Sequence, residues 1–234
     1  AVKLMIIREG WKEPKEFSIV RDTIIVQSVK LKMVATAAKK KVALITITNF
    51  NQDTESGFDQ AVRTALLANP DGIVLDLRNN PGGFLDTAVS VAGEWVSKDV
   101  IVVEKYSDGK KDEYKSEGAG RLAGIPTAVL VNGGSASASE IVAGALQDYG
   151  KASIIGEQTF GKGSVQDYHE FSDGSALKLT IALWFTPKGR SIDKQGITPD
   201  IKVKMTDADF ENDRDPQLDE ALRALFAPKA AVTP

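Results

Sequence analysis

Apolar runs and helical spacings alternate through the middle of the chain. Lys41 to Ile47 (KVALITI) reads as a strand. Gly72 to Leu77 (GIVLDL) and Pro126 to Val131 (PTAVLV) are near-continuous apolar runs, as in strands buried on both faces. Between them Phe58, Val62, Ala65 and Leu66 recur at helical spacing, and Asn69-Pro70-Asp71-Gly72 ends that helix. Leu85 to Val96 predicts a second helix and Val100 to Glu104 a strand. Ser107 to Gly120 is polar and glycine-rich and reads as a mobile loop. Ala138 to Tyr149 places Val142, Ala145, Leu146 and Tyr149 on one helical face, and Ser153 to Ile155 follows as a short strand. Helix-strand alternation from about 41 to 156 implies crossover units on a mostly parallel sheet.

The flanks differ. Ala1 to Arg8 reads as a strand, and Glu16 to Val29 holds two β-rich runs, FSIVR and TIIVQSV. Ser164–Phe171 and Ala176–Phe185 form a hairpin around Ser172-Asp173-Gly174-Ser175. An acidic linker then leads to an amphipathic helix, Pro216 to Phe226.

Composition narrows the chemistry. The 234 residues are 42% hydrophobic and 26% charged, ordinary for a globular protein. A net charge of −3 offers no basic surplus for nucleic acid or anionic lipid. The absence of cysteine excludes thiol catalysis, disulfides and thiolate metal sites. One histidine, His169, excludes a multi-histidine metal site. No run approaches the length of a membrane span.

Two strand-to-loop junctions are candidate sites, because ligands in such sheets bind where strand ends meet helix starts. Leu77 runs into RNNPGG, and Val131 runs into NGGSASASE. Within the second, Ser137 and Glu140 match the S-x-x-E capping box. The same geometry suits a nucleophile. A serine on a sharp strand-to-helix corner is exposed, and the unpaired N–H groups behind it favour an oxyanion. If Ser137 attacks, the Ala138 N–H is one donor, and Gly82-Gly83 suits the second. The hydroxyl needs a base, which leaves His169 or Lys162 of FGKGS. An ordinary lysine, with a pKa of about 10.4, is neutral only about once in 2,500 at pH 7. As a base it must fall by roughly two to three pH units. Burial between Gly161 and Gly163, against Phe160 and Val165, is the environment expected to do this. GKGS lacks the spacing of a phosphate loop and is set aside as one.

The stretch NGGSASASEIVAGALQDYGKASIIGEQTFGKGSVQ resembles the core signature of the carboxyl-terminal processing peptidases, or tail-specific proteases. DGIVLDLRNNPGG resembles that family's oxyanion-loop segment, and TPKGRSIDKQGITPD the stretch after its hairpin. The resemblance implies a serine endopeptidase with a Ser-Lys pair that cleaves protein chains near their C-termini. It implies Ser137 as nucleophile and Lys162 as base. It implies Gln166 as the group that orients the lysine, and the N–H groups of Gly83 and Ala138 as the oxyanion hole. Asp148 matches a position that supports the helix. Ser135 and Ser139 become turn and cap residues, and His169 faces solvent or packs. No cofactor or metal is implied.

The implied fold is an α/β crotonase/ClpP-like core, a mostly parallel sheet flanked by helices, plus a β-hairpin and a C-terminal helix. Residues 1–15 are expected to be the last strand and exit of a truncated PDZ domain, 16–206 the protease core, and 207–234 a C-terminal helical segment. AVKLMIIREG lacks a starting Met and reads as the middle of a longer precursor. The implied partners are protein or peptide substrates with accessible C-termini, with room for a homodimer and a regulatory protein. The implied setting is bacterial and extracytoplasmic. Residues 162–166 raise a geometric question: extended, they hold Lys162 and Gln166 about 13 Å apart, and in a helical turn roughly 6 Å apart. Switching between the two is expected to control activity. Three other readings stay open: a latent core, a non-catalytic binding module of the same fold (as in retinoid-binding repeats), and a crotonase-like acyl-CoA enzyme.

Overall fold

The structure, a computed structural model, describes residues 1–22 and 27–227. Most of the run expected over TIIVQSV falls on residues 23–26, outside the described residues. β1 (Val2–Ile6) and β2 (Lys15–Ile19) pair antiparallel as a separate ribbon. The boundary expected at residue 15 therefore falls at the start of the ribbon's second strand, which pairs with β1 rather than with the main sheet.

The main sheet has six strands in the order β12-β9-β8-β5-β4-β3. β3 (Val29–Ala35) lies antiparallel to β4 (Lys41–Ile47) at one edge. β4, β5 (Gly72–Asp76), β8 (Thr127–Val131), β9 (Ser153–Gly156) and β12 (Ile201–Lys202) are mutually parallel. α1 (Thr54–Leu67) carries the chain from β4 to β5. α2 (Leu85–Ala92) follows β5, and α3 (Ala138–Asp148) joins β8 to β9. This is the mostly parallel, helix-flanked sheet expected from the pattern. Every residue of β5 and β8 is buried, which is why both read as unbroken apolar runs.

The sheet has a core on each face. One joins Ile45, Ile73 and Val129 to Phe58 of α1, Val91 of α2 and Ile141 of α3. The other, smaller core packs Val42, Val74, Leu130 and Ile155 against α5 (Pro216–Ala224) through Leu218, Ala221 and Leu222. α5 is thus one layer of the fold rather than an appendage. Each such side chain, fully buried, contributes about 1.5–3 kcal/mol. The acidic linker before α5 holds a short helix, α4 (Asp207–Glu211), capped by Thr206.

A second, antiparallel sheet runs β10-β11-β6-β7. β10 (Ser164–Glu170) and β11 (Ala176–Phe185) form the expected hairpin, and β11 pairs with β6 (Val100–Tyr106). The mobile loop expected over 107–120 is corrected here: Lys111–Lys115 form β7, paired with β6. KDEYK hid this strand because only Asp112 and Tyr114 turn partly inward, the latter donating a hydrogen bond to the buried Glu104.

Candidate active site

β5 and β8 are neighbours, so the loops leaving their C-terminal ends lie side by side. They are stitched together. Asn79 N–H donates to Asn132 Oδ1, and Asn132 Nδ2 donates back to Asn79 Oδ1, both at 2.9 Å. Ser135 Oγ donates to Leu77 O, and Ser139 Oγ and the Ala136 N–H both donate to Asn80 O. Asn80 itself is fully buried, donating to Ile47 O and accepting from the Gly82 N–H. Ser135 and Ser139 thus tie one loop to the other, a role wider than turn and cap.

Ser137 stands at the head of α3 with φ 55° and ψ −115°, a backbone conformation a non-glycine residue rarely holds. An ordinary N-cap residue is extended. Such strain persists only where surroundings enforce it, and the exposure expected of a serine on a corner is not seen: Ser137 is 5% exposed. Gly82 supplies part of the enforcement. A Cβ there would lie 2.7 Å from both Ala136 O and Ser137 Cβ, and 2.9 Å from Ala138 N. Gly83, with φ 145°, lies against Phe50, whose carbonyl would be 1.9 Å from any Cβ. Ala138 opens α3, so its N–H belongs to the helix's first, intrahelically unpaired turn.

The acceptor at the centre of the site is Glu140. Its side chain is fully buried. Oε2 accepts from the backbone N–H of Ser137 at 2.8 Å and of Lys162 at 2.9 Å. Oε1 accepts from Thr159 Oγ1 at 2.5 Å and from the Gly161 N–H at 2.6 Å. Four donors compensate the burial of one carboxylate. The capping box forecast only the bond to Ser137. The bonds to residues 159–162 come from a loop some twenty positions away, and no sequence spacing signals them.

Lys162 lies in the loop between β9 and β10. Its backbone is held near Ser137 through Glu140, but its side chain is exposed. The burial expected against Phe160 and Val165 is not seen, because Phe160 is 68% exposed. The flanking glycines have another reason. Gly161, at φ 86°, packs against the backbone of 194–196, and a Cβ on Gly163 would lie 2.1 Å from Asp193 N. The stretch 192–197 is a floor under the lysine loop, pinned also by Ile197 N–H to Thr159 Oγ1. Gln166 sits on β10 with its side chain exposed. From Ser164 onward the segment is extended rather than a helical turn, with an irregularity in its pairing between Val165 and Gln166.

Asp148 ends α3, accepting from Lys188 N–H and Arg190 Nε. It supports the helix by binding it to the turn after the hairpin. His169 is exposed on β10, its ring edge-on to Phe171 at 4.9 Å. Among the described residues, no group of three or more acidic or histidine side chains could hold a metal ion. No described helix is long and apolar enough to cross a membrane.

A parallel α/β sheet with a strained serine at a strand-to-helix corner, facing a glycine loop, defines a serine-hydrolase type of domain. Residues 41–203 match Peptidase family S41, and the chain belongs to that family of serine-type peptidases. It is 44% identical over 196 residues to a CtpA-like serine protease of Staphylococcus aureus, covering 82% of this chain and 38% of that protein. It is 41% identical over 201 residues to the Staphylococcus epidermidis counterpart, covering 85% of this chain and 40% of that one. The photosystem II D1 C-terminal processing protease superposes with a TM-score of 0.73 at 34% identity, over 82% of this chain and 52% of that chain. The chain thus spans about two fifths of the length of these curated relatives.

Proposed function

We propose that this domain hydrolyses peptide bonds near the C-termini of loosely folded proteins, with Ser137 as nucleophile and Lys162 as base. Ser137 Oγ attacks the carbonyl carbon and passes its proton to Lys162 Nζ. The N–H groups of Gly83 and Ala138 hold the oxyanion. Collapse expels the amine, which takes the proton from Lys162. A water, deprotonated by Lys162, then attacks the acyl-enzyme and frees Ser137. Gln166 orients the lysine. The observation that carries this reading is the Glu140 carboxylate, which holds the backbones of Ser137 and Lys162 on one oxygen.

A lysine base must leave water, whereas Lys162 and Gln166 are exposed here. The conformation shown is accordingly the resting one, and substrate or an added domain closes the 162–166 segment. In this reading residues 1–15, whose first strand pairs with Lys15–Ile19, belong to the end of a PDZ domain, and the enzyme works outside the cytoplasm. A homodimer or a regulatory protein would act through the same closure. The test is casein degradation by the parent, Ser137→Ala and Lys162→Ala, alongside labelling with a fluorophosphonate. Cleavage and labelling by the parent, with cleavage lost in both variants, supports the pair. Undiminished cleavage in Lys162→Ala rejects the assigned base. A parent that labels but does not cleave points to a latent core awaiting closure.

A further inference from the structure

Arg78 begins the RNNPGG loop and is 16% exposed at its side chain. Its guanidinium carries five N–H donors, and the structure gives each one work. Nε and Nη2 donate to Asp76 Oδ1 and Oδ2 at 3.0 and 2.7 Å. Nη1 and Nη2 donate to Asp215 Oδ1 and Oδ2 at 2.8 and 2.9 Å. Nη1 also donates to Gln217 Oε1 at 3.2 Å. The first carboxylate belongs to the end of β5. The second belongs to the N-cap of α5, 137 positions from Arg78 along the chain, on the helix that packs against the smaller core. Asp215 simultaneously accepts from the Leu218 N–H at 2.9 Å, so helix start and arginine share one carboxylate.

The consequence lies downstream of Arg78. Asn79, held at φ 57°, locks to Asn132. Asn80 locks to Ile47, Gly82, Ala136 and Ser139. Gly82 touches Ser137. The links are side-chain and backbone hydrogen bonds up to Gly82, and close packing from Gly82 to Ser137, so little slack separates the arginine from Ser137. Two bidentate clamps from different elements define the guanidinium plane more tightly than one could. We infer that Asp215 is a positioning residue: its clamp on Arg78, rather than the apolar packing of α5 on the sheet, sets the geometry of the 79–83 glycine loop beside Ser137. This rests on the peptidase reading for its effect on turnover, though not for the mechanical coupling.

Asp215→Asn tests it, since asparagine still caps α5 while losing the charge and one of the two paired oxygens. The control is Leu222→Ala, which loosens α5 on the sheet without removing a partner of Arg78. Hydrogen exchange of the 234-residue chain reads the coupling directly. Faster exchange over 77–84 in Asp215→Asn supports it, and faster exchange confined to 207–227 overturns it. Casein kinetics read the consequence: kcat is expected to fall about tenfold with KM unchanged, the loss of one charged hydrogen bond. A fall matched by Leu222→Ala, or a rise in KM with kcat unchanged, reduces Asp215 to a structural cap and overturns the positioning role. A parent both silent on casein and unlabelled by the fluorophosphonate counts against the peptidase reading, and the exchange result still decides the coupling.

Discussion

The two halves of the proposed site are built in opposite ways. The serine half is buried and over-determined: a strained corner, two interlocked asparagine-rich loops and glycine contacts that tolerate no Cβ. The lysine half has a backbone as firmly held, through Glu140, but the side chains of Lys162 and Gln166 are exposed to solvent, one on the loop before β10 and one on β10 itself. The difference teaches where control can reside. Strain and close packing leave Ser137 one arrangement. An exposed arm at the start of an edge strand has several, separated by little energy.

The comparison is broken most decisively at the corner. Ser137→Ala is expected to lower casein cleavage by about 10⁴-fold or more while the variant keeps its circular dichroism spectrum. Retained cleavage would place the chemistry elsewhere. Next is Glu140→Gln, which spans both halves. Its amide must turn an N–H₂ toward backbone N–H groups that now find a carboxylate oxygen, so about 2–4 kcal/mol of stability is expected to go in urea unfolding. Cleavage should fall with it, and unchanged stability would remove Glu140 from the centre of the site.

Gly82→Ala probes the serine half alone. At φ 98°, with Ser137 Cβ 2.7 Å from the new methyl, a loss of about 1–3 kcal/mol is expected together with a lower kcat. Gln166→Ala probes the other half. An exposed strand position should change stability by no more than about 0.5 kcal/mol. Turnover should nonetheless drop if Gln166 orients Lys162, and full activity would strike Gln166 from the site.

The smallest expected effect is in pH. Burial pushes the Asp215 carboxyl up, but hydrogen bonds from Arg78 and the Leu218 N–H outweigh it, leaving the group below its ordinary value. Asp76 shares the guanidinium and faces the same pair. A carboxylate lowered on folding stabilises above its unfolded pKa, about 3.9, and loses that contribution as pH falls through the folded value. The stability difference between parent and Asp215→Asn should be constant from about pH 5 to 8 and shrink below about pH 4. A difference that grows on acidification would mean the clamp does not hold the charged form.

Much of this was legible in the sequence. The runs over 72–77 and 126–131 betrayed strands buried on both faces, and β4, α1, α2, α3 and the hairpin followed from period and turn chemistry. A strand-helix corner and a glycine-flanked lysine are local patterns that made Ser137 and Lys162 candidates, and the family resemblance, not those patterns, singled them out. β3 was overlooked because VKLKMVA exposes its lysines and earns its place by pairing with β4. β7 was missed because a strand paired to one neighbour at a sheet edge needs few apolar residues.

Local residue choice determined the order of elements, the sharp corner at Ser137 and the chemistry on offer: no thiol, one imidazole, a serine and a lysine 25 positions apart. These follow from periodicity, backbone sterics and side-chain type, which act over a few residues. Only the tertiary structure decided that Glu140 binds the lysine loop, that Gly161 and Gly163 serve the close approach of residues 193–196, and that a C-terminal carboxylate reaches Arg78. Those contacts join segments from 19 to 137 residues apart. Their geometry exists only once the sheet has brought its strand ends together and excluded water from between them.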